Sequence, residues 1–150
     1  MKKFIFLLLI SSLFFANCSD GDSHQNFLER YDNSVWEISL VDTIIYEKFH
    51  NNKSNPIEEW HKNSDLNCLY YFNFPRIGGE VMEVSNNQLI IRVSNPEDID
   101  DYRLIIFTEN DSDINLKVEI FENGISKNID NYILNRSSFK PQNLQICSNN

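Results

Sequence analysis

The pair Asn123-Gly124 constrains this chain more than any other feature. Before it, Ile114 to Phe121 alternates Leu116, Val118 and Ile120 with Lys117 and Glu119. After it, Ile125 to Leu134 sets Tyr132 and Leu134 on one side. A period of two gives an extended strand one apolar face. Asn-Gly accepts positive φ at both central positions of the two-residue turn whose twist matches paired strands. The segment therefore predicts an antiparallel hairpin. A lone hairpin is marginal in water, so further strands must cover its apolar face.

The same pattern recurs along the chain. Val35 to Val41 sets Trp36, Ile38 and Leu40 on one face, and Thr43 to Phe49 is a second run. Ile57 to His61 is ambiguous between a short strand and a loop, and Cys68 to Phe74 groups Tyr70, Phe72 and Phe74. Glu80 to Val84 and Gln88 to Val93 flank the turn pair Asn86-Asn87, with Leu89, Ile91 and Val93 sharing a face and Arg92 pointing away. Tyr102 to Thr108 is apolar on both faces. Asn26 to Tyr31 reads as a short helix, its Phe27, Leu28 and Tyr31 forming one face able to plug the end of a sheet. The links are mostly short and no long helix alternates with the strands, which argues against a parallel α/β fold. The expected class is all-β: an antiparallel meander of about eight strands, closing into a barrel that removes its edges. An immunoglobulin-like β-sandwich is the alternative. Composition agrees only in part. Ala16 is the one alanine in the chain, and a genome poor in G and C would starve alanine whatever the fold.

The first 17 residues read as a removable leader. Lys2 and Lys3 precede an apolar run, Phe4 to Ala16, too short to span a bilayer of about 30 Å. Phe15-Ala16-Asn17-Cys18 resembles the lipobox of bacterial lipoproteins. The resemblance implies that Cys18 becomes the lipidated first residue of the mature protein, so that the partner of the chain is a membrane, reached through its lipid anchor. Ser19-Asp20-Gly21-Asp22-Ser23 is similar to the acidic export tag of surface lipoproteins. This implies an outer-membrane location at the cell surface, with the periplasmic face as the alternative. Residues 18–25 then form an acidic tether, and residues 26–150 a single β-domain.

Cys68 and Cys147 remain once Cys18 is lipidated. In an oxidising compartment an even pair reads as a disulfide. Free buried thiols and metal ligands are the alternatives. The metal alternative lacks any C-x-x-C or H-x-x-H spacing.

The order of elements resembles small lipocalin-like lipoproteins. The residues that carry this are Phe27-Leu28-Glu29-Arg30-Tyr31, then Asn33-Ser34-Val35-Trp36-Glu37-Ile38, then the meander, then Tyr132-Ile133-Leu134. The resemblance implies that Trp36 enters the first strand and seals one end of a barrel.

Catalytic chemistry finds little support. The net charge of -9 argues against nucleic-acid binding, which needs clustered Lys and Arg. Four glycines leave little for a phosphate-cradling loop, and no cofactor is implied. His24, His50 and His61 stand near no nucleophile elbow and read as surface histidines. Glu58, Glu59, Glu80 and Glu83 could pair, but so could many of 22 acids by chance. Asp98, Asp100, Asp101, Asp111 and Asp113 could hold Ca²⁺ only if their loops meet. A metal site is not expected. The aromatics Trp36, Tyr46, Trp60, Tyr70, Phe72 and Phe74 either line a pocket or fill the core. The chain is therefore expected to be a non-catalytic lipoprotein. It binds a small lipophilic ligand, or else acts as a protein-protein interaction module of the envelope.

Overall fold

The computed structural model describes residues 25–63, 68–73, 79–95, 97–140 and 146–147. Cys18, the leader and most of the tether lie outside the described residues, as does Phe74.

Asn26 opens α1 (Phe27–Tyr31) with a reciprocal cap: its side chain accepts from the Glu29 backbone N–H at 3.1 Å, and Glu29 Oε2 accepts from the Asn26 N–H at 3.0 Å. This satisfies donors that the first helical turn leaves unpaired. Nine strands follow: β1 (Val35–Ser39), β2 (Thr43–Phe49), β3 (Ile57–Asn63), β4 (Tyr70–Asn73), β5 (Gly79–Val84), β6 (Gln88–Ser94), β7 (Tyr102–Asn110), β8 (Asp113–Glu122) and β9 (Ile125–Ser137). The chain is thus all-β, and its strands form one antiparallel sheet in the order β4-β3-β2-β1-β9-β8-β7-β6-β5. Every neighbouring pair is consecutive in sequence except β1–β9, which joins the first strand to the last.

Two expectations need adjustment. The first strand stops at Ser39, because Leu40 N–H donates to Thr43 O at 2.8 Å and the link to β2 turns there. Val41 is consequently 98% exposed, and Leu40 leaves the apolar face. The sheet also curls without closing. Its edges are β4 and β5, so the meander keeps the edges that a barrel would remove. Both are blunted: β4 has only four residues, and β5 carries a bulge in which Met82 is the extra residue.

The curl is set by β9. Over Ile125–Leu134 it pairs with β8, whereas only Asn135–Ser137 pair with β1. One long strand therefore hands the sheet from its second half to its first. At the start of β9, Asn123 and Gly124 take φ of 52° and 70°, the backbone that the Asn-Gly pair predicts. The two inner faces enclose Trp36, Ile38, Phe49, Leu89, Ile91, Phe107, Ile114, Leu116 and Leu134. Helix α1 closes one end. Phe27 packs edge-on against Phe49 with ring centroids 5.3 Å apart, and Phe49 does the same against Phe107 at 5.2 Å. The Phe27 N–H donates to Ser85 O at 2.8 Å, and Arg30 pairs with Glu109 and donates to Asn86 O. Trp36 stands at this plugged end, edge-on to Tyr31 at 5.5 Å.

A second, smaller cluster lies on the other face of the first half-sheet: Tyr46, Trp60 and Leu69, with Phe139 and Tyr71 against them. The C-terminal segment covers it. Phe139 stacks on Tyr46 at 4.0 Å, Cys147 N–H donates to Leu69 O at 2.8 Å, and Leu69 bridges Ile146 in parallel. Cys68 and Cys147 are bonded, with Cα atoms 5.1 Å apart. Strand β2 is thus covered on both sides, which is why adjacent Tyr46 and Glu47 are both buried.

Candidate functional site

In antiparallel strands, directly opposed residues share a face. The register places Trp36 opposite Glu47, Glu47 opposite Glu59, and Glu59 opposite Phe72. A row of aromatic, carboxyl, carboxyl, aromatic therefore crosses four strands on the inner face. The next row in the same face is Ile38, Ile45, His61 and Tyr70. His61 Nε2 meets Glu59 Oε1, and the His61 ring lies 4.7 Å from that of Phe72.

Glu47 is the unusual member. It is 4% exposed, the one buried charged residue among the described residues, and its Oε2 finds no hydrogen-bond partner. Burial pushes its carboxyl well above the ordinary glutamate range, and the charge of Glu59 adds to the effect. Burial deepens across the row from the open edge inward. Tyr70 and Phe72 on edge strand β4 are 40% and 39% exposed, Glu59 and His61 are half-buried, and Glu47 is covered. The arrangement sets a carboxyl with an unpartnered oxygen at depth and part-exposed aromatic rings at the sheet edge. Among the described residues the side-chain partner of His61 is Glu59.

Of the six aromatics taken together from the sequence, the five among the described residues divide between two faces. Trp36, Tyr70 and Phe72 belong to the inner rows. Tyr46 and Trp60 oppose one another on the outer face, beneath the tail. They fill that second core and line no common pocket with Trp36. Strand parity, opposite for residues 46 and 47, separates them.

The four glutamates weighed as a possible pair are also dispersed. Glu59 is inside. Glu58 is outside, where it accepts from Tyr71 Oη at 3.0 Å and pairs with His50 Nε2 at 3.0 Å. Glu80 faces Arg92, and Glu83 faces Ile90. The two acidic loops sit at opposite ends of β7. Asp101 Oδ1 accepts from Asn123 N–H at 2.9 Å at one end, and the Asp111 turn closes the other. Nine residues of strand at about 3.4 Å each keep the loops apart. Among the described residues no three His, Cys, Asp or Glu side chains could hold a metal ion. Glu47 is the residue that sequence reading passed over. Its signal was available: in Thr43-Ile44-Ile45-Tyr46-Glu47-Lys48-Phe49, Glu47 has the same parity as the core residues Ile45 and Phe49.

The opposite surface of the second half-sheet mixes exposed apolar side chains with polar ones, Lys117 and Glu119 among them. Ile129 and Ile133 are 47% and 58% exposed, and an open groove beside them is lined by Ile106, Thr108, Asn115 and Asn131. Tyr102 and Phe121 stack at 4.5 Å on the same face, with Arg92 over Tyr102 at 4.3 Å.

Compared with known proteins, the chain matches no family model, no curated protein and no solved structure.

Proposed function

We propose that this chain is a lipid-anchored, non-catalytic envelope protein whose β-domain takes a small ligand on its inner face, beside the open edge β4. The lipobox-like Phe15-Ala16-Asn17-Cys18 supports the anchor, and the acidic residues after it support an outer-membrane, cell-surface position. The observation that carries ligand binding is Glu47: a covered carboxyl with an unpartnered oxygen, in line with part-exposed Phe72. A buried polar group left unpaired costs about 1–3 kcal/mol, a cost that a bound ligand can remove. The row differs from a wholly lipophilic surface. It combines aromatic rings with carboxyl groups, which suits a ligand with an apolar body and a polar head.

Native mass spectrometry of the intact protein, released from its own membranes, tests this reading. The expected spectrum carries an added mass of a few hundred daltons, which leaves on collisional activation. A spectrum of bare protein that also fails to bind added small amphiphiles would overturn it. Mass analysis of the mature N-terminal peptide tests the anchor separately, by a diacylglyceryl thioether on Cys18.

A second reading is favoured by a different observation. The exposed Ile129 and Ile133, beside the groove lined by Ile106, give the outer face of the second half-sheet the character of a protein-protein contact. Crosslinking on intact cells that yields no product through this face would remove that reading.

A further inference from the structure

We infer that the ligand of the inner face is an organic cation, an ammonium group on an apolar body, held by the carboxyls of Glu47 and Glu59 between the rings of Trp36 and Phe72. The inference rests on the small-ligand reading above and names the chemical class of that ligand.

Four observations carry it. First, the row Trp36, Glu47, Glu59, Phe72 is fixed by strand register, so its two carboxyls are neighbours on one face whatever their rotamers. Second, burial and the facing Glu59 charge hold Glu47 toward its protonated form, and a cation bound between the two carboxyls offsets both effects and favours its ionisation. His61 engages one oxygen of Glu59, while Glu47 Oε2 stays unpartnered behind it. A cation also fills the empty acceptor. Third, the flanking groups are aromatic, and ring faces attract ammonium groups, more strongly when both are shielded from water. Fourth, the alternative cation is a metal ion, and no three ligating side chains converge here among the described residues. An ammonium group needs only one or two acceptors and a ring, which is what the row supplies. Phe72 on the edge strand β4 is part-exposed and Glu59 is half-buried, so the edge-side end of the row meets solvent.

The test uses three probes of one length on the intact chain in a maltoside micelle: hexylammonium, hexanol and hexanoate, by calorimetry at neutral pH. Hexylammonium is expected to bind about tenfold more tightly than hexanol, the worth of one charge-assisted hydrogen bond. Hexanoate is expected to bind more weakly than either. Glu47→Gln and Glu59→Gln should each remove the preference for hexylammonium and leave hexanol affinity in place. Phe72→Ala should weaken hexylammonium and hexanol alike, by lost contact with the apolar body. Equal affinity for hexanol and hexylammonium would overturn the cation while sparing the ligand site. Binding of none of the three would overturn the site itself. An ammonium preference that survives in both glutamate variants would place the cation elsewhere and refute this assignment.

Discussion

Glu47 and Glu59 stand directly opposite one another on β2 and β3, and the first is covered while the second is half-exposed. The buried carboxyl is the one that gives way. Its pKa in the folded chain lies well above the ordinary value of 4.5, first through burial and then through the Glu59 charge. A raised carboxyl pKa means that the folded chain holds a proton which the unfolded chain has already released. Its contribution to stability is complete below about 4.5 and is lost as pH rises through the folded pKa. Urea unfolding across pH 4 to 9 should therefore show stability falling toward alkaline pH. Glu47→Gln should flatten that fall and stabilise the chain at pH 8 by about 1–2 kcal/mol. An unchanged slope in the variant would show that Glu47 is not the group responsible.

The bond between Cys68 and Cys147 ties the C-terminal segment across the second core, with a sequence separation of 79. On the chain-entropy account a loop of this length is worth about 4.5 kcal/mol, so Cys147→Ser should cost about 2–4 kcal/mol once strain and residual structure are allowed for. The unfolding midpoint in urea reads this directly. Reduction of the wild-type protein should reproduce the loss, and an insensitive midpoint would show that the tail contributes nothing.

Phe139 reports on the same cover through the chemistry of Tyr46. The phenol of Tyr46 is pushed up by burial and then by the Glu37 carboxylate. Tyr71 is raised likewise, by burial and by its hydrogen bond to Glu58, and Tyr31 is pushed up to about 12 by burial and then by Glu109. An ultraviolet titration should accordingly show late-ionising tyrosines. Phe139→Ala uncovers Tyr46, so one of these should move down toward 10 while the other two stay. The same change should cost about 1–3 kcal/mol for a half-buried ring and its stack.

Helix α1 acts as a plug, and the two ways of weakening it differ in size. Phe27 is fully buried between Tyr31 and Phe49, so Phe27→Ala should cost about 3–5 kcal/mol, the usual loss for a buried ring. Asn26→Ala removes only the cap and should cost about 1 kcal/mol. Thermal unfolding of the pair distinguishes a load on the ring from a load on the helix. Equal small effects would mean that the sheet holds its end without the helix.

The strand pattern was legible in the sequence because each strand is a local object. Alternation marks the faces of β6, β8 and β9, and Asn123-Gly124 dictates its own turn whatever surrounds it. The short helix before Trp36 and the pairing of Cys68 with Cys147 were also readable, from an apolar face and from the even pair of cysteines beyond Cys18. Leu40 shows where local reading stops: it continues the alternation, yet the chain needs those residues to turn.

Tertiary structure alone decided which faces are covered and what meets across them. Alternation assigns one buried side to a strand, but it does not say that a residue 93 positions later, Phe139 over Tyr46, will bury the other. Tyr46 beneath Phe139 therefore belongs to a different core from its neighbour Glu47. Closure is likewise a property of the whole sheet. The sequence supplied enough strands to form a barrel, whereas the length of β4, the bulge at Met82 and the hand-over along β9 left an open edge instead. The row Trp36, Glu47, Glu59, Phe72 depends on three inter-strand registers at once. Each shift of one residue would turn a side chain to the other face, and so the juxtaposition exists only in the folded sheet.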